Sequence, residues 1–317
     1  MPDTFEALLA PVSEAEFYRE HCGRKTLHVQ GAAEKFADVF SWDELEYLIN
    51  QAAIWTGRSL FLILDNRQLP VAEYCRPGTN RDGRDAMLAD IAKVRAWIKR
   101  GATVVLNDIE TLAPGLRDVA HALETGPGGK VQANLYFSRG QRQGFGSHFD
   151  THDVYAVHVF GEKTWNIYQR HFEAPINHPR FKNLDEAFHT RARGALDRAV
   201  PLKPGDLLYI PRGVYHDALA QTGASVHIAF SVVPVIGLDL LTALFEQAIQ
   251  DPLFRADFPD PRRDGAAAVQ SHIERLALRF GTLAREPGFA KRFQALVENF
   301  RYPRGAVRLP EDIETDG

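Results

Sequence analysis

The sequence predicts an α+β protein with an antiparallel β-barrel at its centre, helices before the barrel and a helical bundle after it. Three observations carry this reading. Between residues 131 and about 235, short segments rich in β-branched and aromatic residues alternate with Gly, Pro, Asn and Asp turns, the texture of an antiparallel sandwich or barrel. Ahead of that stretch, capping-box sequences and apolar residues three and four apart mark helices. After residue 237 the helical spacing returns. The expected organisation is therefore 1–236 for the barrel with its helical N-terminal segment and 237–317 for a separate helical domain.

The elements follow in order. The first 50 residues read as helical, because Ser13 with Glu16 and Ser41 with Glu44 fit the pattern in which side chains satisfy the free N–H groups of a first helical turn. SLFLILDN (59–66) is a short apolar run ending in a turn signal, hence a strand. Leu88, Ile91, Val94 and Ile98 recur at helical spacing, with Gly101 as the stop. ATVVLND (102–108) is short and β-branched, so it reads as another strand, and Leu112, Leu116, Val119 and Leu123 mark one more helix. VQANLYFS, DVYAVHVF, KTWNIYQ, DLLYIPR and SVHIAFSVVPV are the barrel strands. Three apolar stripes close the chain: Leu241, Leu244, Phe245 and Ala248; Val269, Ile273, Leu276 and Phe280; Phe289, Phe293, Leu296 and Phe300. Pro259, Pro261 and Pro287 punctuate them.

Composition is that of an ordinary globular protein, with 45% apolar and 25% charged residues in 317. A net charge of -4 gives no bulk pull toward nucleic acid or anionic lipid, and the arginines at 139–142 and 262–263 read as solvated loops. Two cysteines, Cys22 and Cys75, make no disulfide framework. With no signal-peptide pattern and no apolar run long enough for a bilayer, the expectation is a cytoplasmic protein without a membrane partner.

The chemistry lies in SHFDTHDVYAVHVFGEKTW. His148 and Asp150 form an H-x-D pair, and in an extended chain residues i and i+2 point the same way. His216, in GDLLYIPRGVYHDA, follows a strand and a Pro-Arg-Gly turn, where a barrel can return it to the pair. Two imidazoles and one carboxylate on one face of a metal are the donor set of non-haem Fe(II) oxygenases. Three protein ligands leave three octahedral positions, two for a chelating 2-oxo acid and one for dioxygen. Catalytic zinc more often keeps a single open position. The H-x-D pair alone is weak in a chain with twelve histidines; the ordered context gives it weight.

The segment NLYFSRGQRQGFGSHFDTHDVYAVHVFGEKTWNIYQ, followed by LKPGDLLYIPRGVYHDA and SVHIAFS, resembles the Jumonji-C branch of the cupin superfamily, and within it the ribosomal oxygenases. The resemblance is sharp over about 131–235 and extends to FYREHCGRKTLHVQG near the N-terminus. It implies a double-stranded β-helix (jelly-roll or cupin) core. By position it implies His148, Asp150 and His216 as Fe(II) ligands, Lys163 as the partner of the far carboxylate of 2-oxoglutarate, and Asn134, Tyr136 and Ser231 as co-substrate contacts. Lys163 also follows from physical chemistry, since a dicarboxylate in a partly dry barrel needs a cation. Strand parity points His158 and His227 into the barrel, either as core residues or on the substrate side of the iron. His152 reads as marking a strand start and not as a ligand, and Asp153 and Asp217 as turn or strand-end polar groups.

The activity so implied is a 2-oxoglutarate-dependent dioxygenase that uses Fe(II) and O2 to hydroxylate an amino-acid side chain of a protein or peptide. Demethylation by the same chemistry, a non-catalytic cupin binding a small ligand and a cupin with another metal are the alternatives. Zinc and manganese cupins commonly show H-x-H plus Glu, whereas Asp150 holds the second place here. Ribosomal relatives usually carry a winged helix after the bundle, and residues 237–317 leave no comfortable room for one. The expected partner is therefore a protein or peptide, ribosomal or other. The Phe-rich stripes (Phe289, Phe293, Phe300) fit the homodimer that the family forms through its post-barrel helices, and equally fit packing back onto the barrel.

Overall fold

The computed structural model describes residues 2–140, 145–221 and 223–305. The chain divides into two compact units, Met1–Pro234 and Val235–Gly317.

The first unit contains thirteen strands among the described residues: β1 (Leu27–Val29), β2 (Leu60–Leu64), β3 (Arg67–Gln68), β4 (Cys75–Thr79), β5 (Asp85–Ala89), β6 (Thr103–Leu106), β7 (Lys130–Arg139), β8 (Asp153–Phe160), β9 (Lys163–His171), β10 (Leu196–Leu202), β11 (Leu207–Ile210), β12 (Val214–Ala220) and β13 (Ala224–Val233). An eight-stranded sheet runs in the order β1-β11-β8-β13-β7-β6-β2-β3. A three-stranded sheet, β10-β9-β12, stands apart from it, as does the β4-β5 hairpin.

Side-chain alternation divides the core in two. Val154, Ala156, Leu208, Ile210 and Ala229 of the large sheet pack with Trp165, Ile167, Val200 and Leu202 of the small one, forming the barrel interior. Their neighbours along the same strands, among them Tyr155, Val157, Tyr209, Ile228 and Phe230, belong to a larger core with Phe5, Leu9, Phe17, Leu116, Val119 and Leu123 from the helical segments. Both faces of β8 and β13 are therefore buried, which explains their nearly continuous apolar sequence.

Helices cover Phe5–Leu9, Trp42–Ile49, Ile91–Lys99 and Pro114–Thr125. At Ser41 the full capping box forms: its hydroxyl accepts from the Glu44 N–H, and the Glu44 carboxylate accepts from the Ser41 N–H at 2.7 Å. Ser13 makes only the first half, accepting from the Glu16 N–H. Leu88 departs from expectation. It lies in β5, because the Asp90 carboxylate caps the helix by accepting from the Ala92 and Lys93 N–H groups. Leu112 sits exposed in the turn before the Pro114 helix. The N-terminal stretch also holds β1, paired with β11. Asp206, buried, accepts from the Gly31 and Lys203 N–H groups and pairs with His28 Nε2 at 3.1 Å.

The β4-β5 hairpin, β10, β12 and the helices Pro179–Lys182 and Glu186–Ala192 carry no sequence signal read in advance. In β10, LDRAVPL, most side chains are exposed and Pro201 is tolerated at a sheet edge.

The second unit is built on helices Gly237–Ala248, Ala266–Arg285 and Pro287–Glu298. Leu244, Ala248, Leu283 and Phe289 form its buried core. The first stripe splits: Leu241 and Phe245 remain 47% and 60% exposed. Phe300 lies beyond the last helix. No helix among the described residues is long and apolar enough to cross a membrane.

Candidate metal centre and co-substrate pocket

His148 and Asp150 precede β8, and His216 lies within β12. Two backbone hydrogen bonds join the segments, from the His148 N–H to the His216 carbonyl at 3.0 Å and from the His216 N–H to the His148 carbonyl at 2.8 Å. One ligating atom from each of His148, Asp150 and His216 lies within 4.8 Å of the others, a group that could hold a metal ion. His216 thus follows β11 and the Pro-Arg-Gly turn, as expected, and itself lies inside β12, and the H-x-D pair is presented by a bridge to that strand.

Both rings are anchored through Nδ1. His148 Nδ1 is 2.8 Å from the Gly146 carbonyl, and His216 Nδ1 is 3.0 Å from the Val214 carbonyl. In the neutral ring, donating Nδ1–H to a carbonyl leaves Nε2 with a lone pair for a cation, the usual support of a metal-binding histidine; in the charged ring Nε2–H can instead donate to a carboxylate. His216 Nε2 is 3.4 Å from Asp150 Oδ2. Burial by itself raises the Asp150 pKa, but the His216 hydrogen bond and the charges of His152 and His148 carry it well below the usual carboxylate range. Burial lowers His148, with His216 adding to the effect. It also acts downward on His216, but the bond to Asp150 and the Asp150 charge raise that group. The Gly213 N–H donates to the Asp150 carbonyl at 2.9 Å, so the turn before His216 also holds the carboxylate's backbone.

A cavity of about 270 Å³ opens beside the three donors, lined by Asn134, Tyr136, Phe145, His152, Lys163, Trp165, His227 and Ser231 among others. Lys163 pairs with Ala220, four residues along β12 from His216, which is about 13 Å at strand rise. The cavity therefore runs along the barrel from the triad toward Lys163. Lys163 is 5% exposed. Its ammonium donates to Ser138 Oγ at 3.3 Å and lies 3.4 Å from His227 Nδ1, and Thr103 Oγ1 donates to Ser138 Oγ at 3.1 Å. No carboxylate faces it among the described residues. Burial without an anion pushes its pKa down to about 7.

Asn134 Oδ1 accepts from the Asp108 N–H at 3.2 Å. Tyr136 hydrogen-bonds with Asn134 and stays protonated, its pKa raised by burial and by the Asp150 charge. Ser231 Oγ is 2.8 Å from His152 Nε2, which is itself 4.0 Å from Asp150 Oδ1. His152, expected only to mark a strand start, thus reaches the site. Trp165 packs on His216 with ring centroids 5.7 Å apart. It was foreseeable, because it shares a strand face with Lys163 two positions away. Ser138 shares a face with Tyr136 in the same way. Thr103, on a distant strand, had no signal. His227 lines the cavity beside Lys163. His158 sits behind it, bonded to the Gly161 carbonyl at 3.0 Å, and is not among the lining residues.

Asp153 accepts from the Tyr209 hydroxyl at 3.0 Å and the Arg212 N–H at 2.9 Å. Asp217 is buried within β12, accepting from Asn166 Nδ2 at 2.9 Å and from the Tyr168 hydroxyl at 2.5 Å. Cys22 and Cys75 are free thiols. Of the arginine-rich loop, 141–144 lies outside the described residues.

Residues 117–238 match the JmjC domain family. The bifunctional lysine-specific demethylase and histidyl-hydroxylase NO66 of Dictyostelium discoideum is 28% identical over 227 residues, covering 71% of this chain and 41% of that protein. Ribosomal oxygenase 2 of Mus musculus is 26% identical over 240 residues, covering 72% of this chain and 46% of that protein. The chain thus spans less than half the length of either. Among solved structures, the ribosomal oxygenase YcfD of Escherichia coli in complex with cobalt and 2-oxoglutarate superposes with a TM-score of 0.59 at 16% identity, over 95% of this chain and 74% of that one. A barrel of two facing sheets, a matched domain and similar oxygenases agree: residues 117–238 form a JmjC domain, the chain shares its fold with YcfD, and its sequence is similar to those of ribosomal oxygenases.

Proposed function

We propose that the chain is an Fe(II)- and 2-oxoglutarate-dependent dioxygenase that hydroxylates an amino-acid side chain in a protein or peptide. The carrying observation is the pairing of two features in one cavity. A two-histidine, one-carboxylate donor set stands at one end, and a buried ammonium with no carboxylate partner among the described residues stands farther along the barrel. The donor set fits iron: both imidazoles have their Nδ1 tied to carbonyls, and the carboxylate is ionised.

His148, Asp150 and His216 would hold the metal. Bound iron, together with O2 and 2-oxoglutarate, supplies the oxidation that puts one oxygen atom into a substrate C–H bond and the other into succinate, with loss of carbon dioxide. The chain's part is placement and shelter. Lys163 takes the far carboxylate in a charge-assisted bond. Asn134 and Tyr136 present amide and hydroxyl groups beside it, and Ser231, joined to His152, lies nearer the triad. Trp165, Val154, Ala218 and Ala229 make the wall apolar, which excludes water and strengthens the polar contacts inside.

The test is anaerobic loading with Fe(II), followed by 2-oxoglutarate and air. One iron per chain and slow succinate release are expected, with both lost in His216→Ala. Absence of iron binding in the natural sequence overturns the assignment, and tight zinc without succinate moves it to another class of metal cupin. The relative named as both a demethylase and a histidyl-hydroxylase keeps methyl removal as the second reading. The two differ in which C–H bond is presented. In protein from cells with and without the gene, a peptide gaining one oxygen supports hydroxylation, and loss of a methyl group supports the other. The ribosomal oxygenase relatives make a ribosomal protein the first target to search. A reducing, cytoplasmic setting suits two free thiols.

A homodimer through the second unit belongs to the same reading. Leu238, Leu241 and Phe245 are 52%, 47% and 60% exposed on one helix, and a self-complementary contact would cover them. Leu241→Glu with Phe245→Glu should give a monomer by light scattering. A native chain that is already monomeric removes this part.

A further inference from the structure

Among the described residues, His227 has one ring nitrogen in contact with Lys163 and the other without a hydrogen-bond partner. Its ring lies flat on Tyr136, with centroids 4.7 Å apart and 2° between planes. Trp165 meets it edge-on at 5.2 Å, and His158 stacks behind it at 6.5 Å. These neighbours fix the plane of the imidazole. Nδ1 is 3.4 Å from Lys163 Nζ. When Lys163 is in its ammonium form it has donors only, so Nδ1 is the acceptor and the ring proton sits on Nε2. No hydrogen bond to Nε2 is found among the described residues, although this nitrogen is not one of the sealed, unpartnered polar atoms, and the residue lines the cavity. Along β13, His227 stands opposite His158, four residues from Ser231 opposite Val154. This puts it at the Lys163 end, about 13 Å from the end nearer the metal donors.

We propose that His227 is a second donor to the far carboxylate of 2-oxoglutarate, its Nε2–H bonding one oxygen while Lys163 pairs with the carboxylate charge, so that the two set the length of acid the cavity accepts. The inference rests on the co-substrate reading above. It moves His227 away from the primary substrate, the other place its strand parity allowed. Lysine alone is a point charge that swivels on a flexible stem; a clamped imidazole adds direction. A neutral ring suits the role, and burial with Lys163 beside it holds the His227 pKa well below the usual histidine range.

The test uses the full chain loaded with Zn(II) or anaerobic Fe(II), and 2-oxoglutarate binding by calorimetry. His227→Phe keeps a flat ring on Tyr136 but loses both nitrogens. Its Kd for 2-oxoglutarate should rise by about tenfold or more, with metal affinity unchanged, and its preference for 2-oxoglutarate over oxaloacetate and 2-oxoadipate should narrow. His227→Gln, which keeps an acceptor and a donor, should recover part of the loss. Independently of any variant, the Nε2–H resonance of ¹⁵N-histidine-labelled Zn(II) protein should move on saturation with 2-oxoglutarate. If the natural chain binds 2-oxoglutarate but that resonance stays put, or a folded His227→Phe binds equally well, the role of His227 is refuted while the proposed function stands. A metal-loaded natural chain that does not bind 2-oxoglutarate refutes the function itself.

Discussion

Lys163 is a cation held in an apolar barrel with a hydroxyl and an imidazole for company, and its behaviour with pH follows. Burial lowers its pKa to about 7, so the ammonium is present below that pH and is progressively lost above it. A dicarboxylate prefers the charged form and must draw a proton back when it binds at higher pH. The Kd for 2-oxoglutarate should therefore be flat below pH 7 and weaken toward tenfold per unit above it. Calorimetry in buffers of different ionisation enthalpy should show proton uptake on the alkaline side and none on the acid side. Lys163→Met should remove this dependence and weaken binding by about a hundredfold, in keeping with the loss of one partner from a desolvated charge pair. A methionine variant with unchanged affinity would place the carboxylate elsewhere.

At the scale of elements, what the sequence disclosed depended on how local each cause is. DVYAVHVF and KTWNIYQ are visible as strands because both faces of the first and one face of the second are buried. Ser41 announces its helix because the capping groups are three residues apart; Ser41→Ala should lower stability by about 1 kcal/mol, read by urea denaturation. Leu88 misled because helical spacing says nothing about where a cap stops it, and Asp90 does that. β10 and β12 were hidden, the first by its exposed, Pro-containing sequence and the second by its irregular alternation. The H-x-D pair was legible as two neighbours in sequence, whereas His216 needed a topology to bring it back. His152 and Thr103 reach the site only through the folded arrangement. Gly213 shows how local geometry serves it. Its φ is +85°, and a side-chain carbon there would strike the Phe172 carbonyl. Its own carbonyl accepts from the Phe172 N–H at 2.7 Å while its N–H holds Asp150. Gly213→Ala should destabilise the protein by more than about 1 kcal/mol. It should also weaken metal binding, measured by competition with a chelator, whereas Gly83→Ala, where a methyl meets open space at a positive φ, should leave metal affinity alone.

For the whole molecule, the division into units of unequal core is the governing fact. The first unit buries a large aromatic and aliphatic core on one side of the main sheet and the barrel interior on the other. The second rests on Leu244, Ala248, Leu283 and Phe289. Two cores of such different size should not melt together. Urea should remove the helical signal of the second unit first, followed by the barrel, with 2-oxoglutarate and metal raising only the later midpoint. A dimer through the second unit would make the earlier midpoint rise with protein concentration. A single transition in every probe would show that the units are energetically one.

The two main-chain hydrogen bonds between residues 148 and 216 act as a clasp between parts of the chain that synthesis separates widely. Closing such a clasp carries a loop-closure cost in entropy, and the pairing of the intervening strands offsets it by bringing the two segments together. The metal-binding geometry is in this sense a product of the tertiary fold, with no local sequence segment able to supply it alone. A chain whose sheets are not yet assembled lacks this arrangement of three donors.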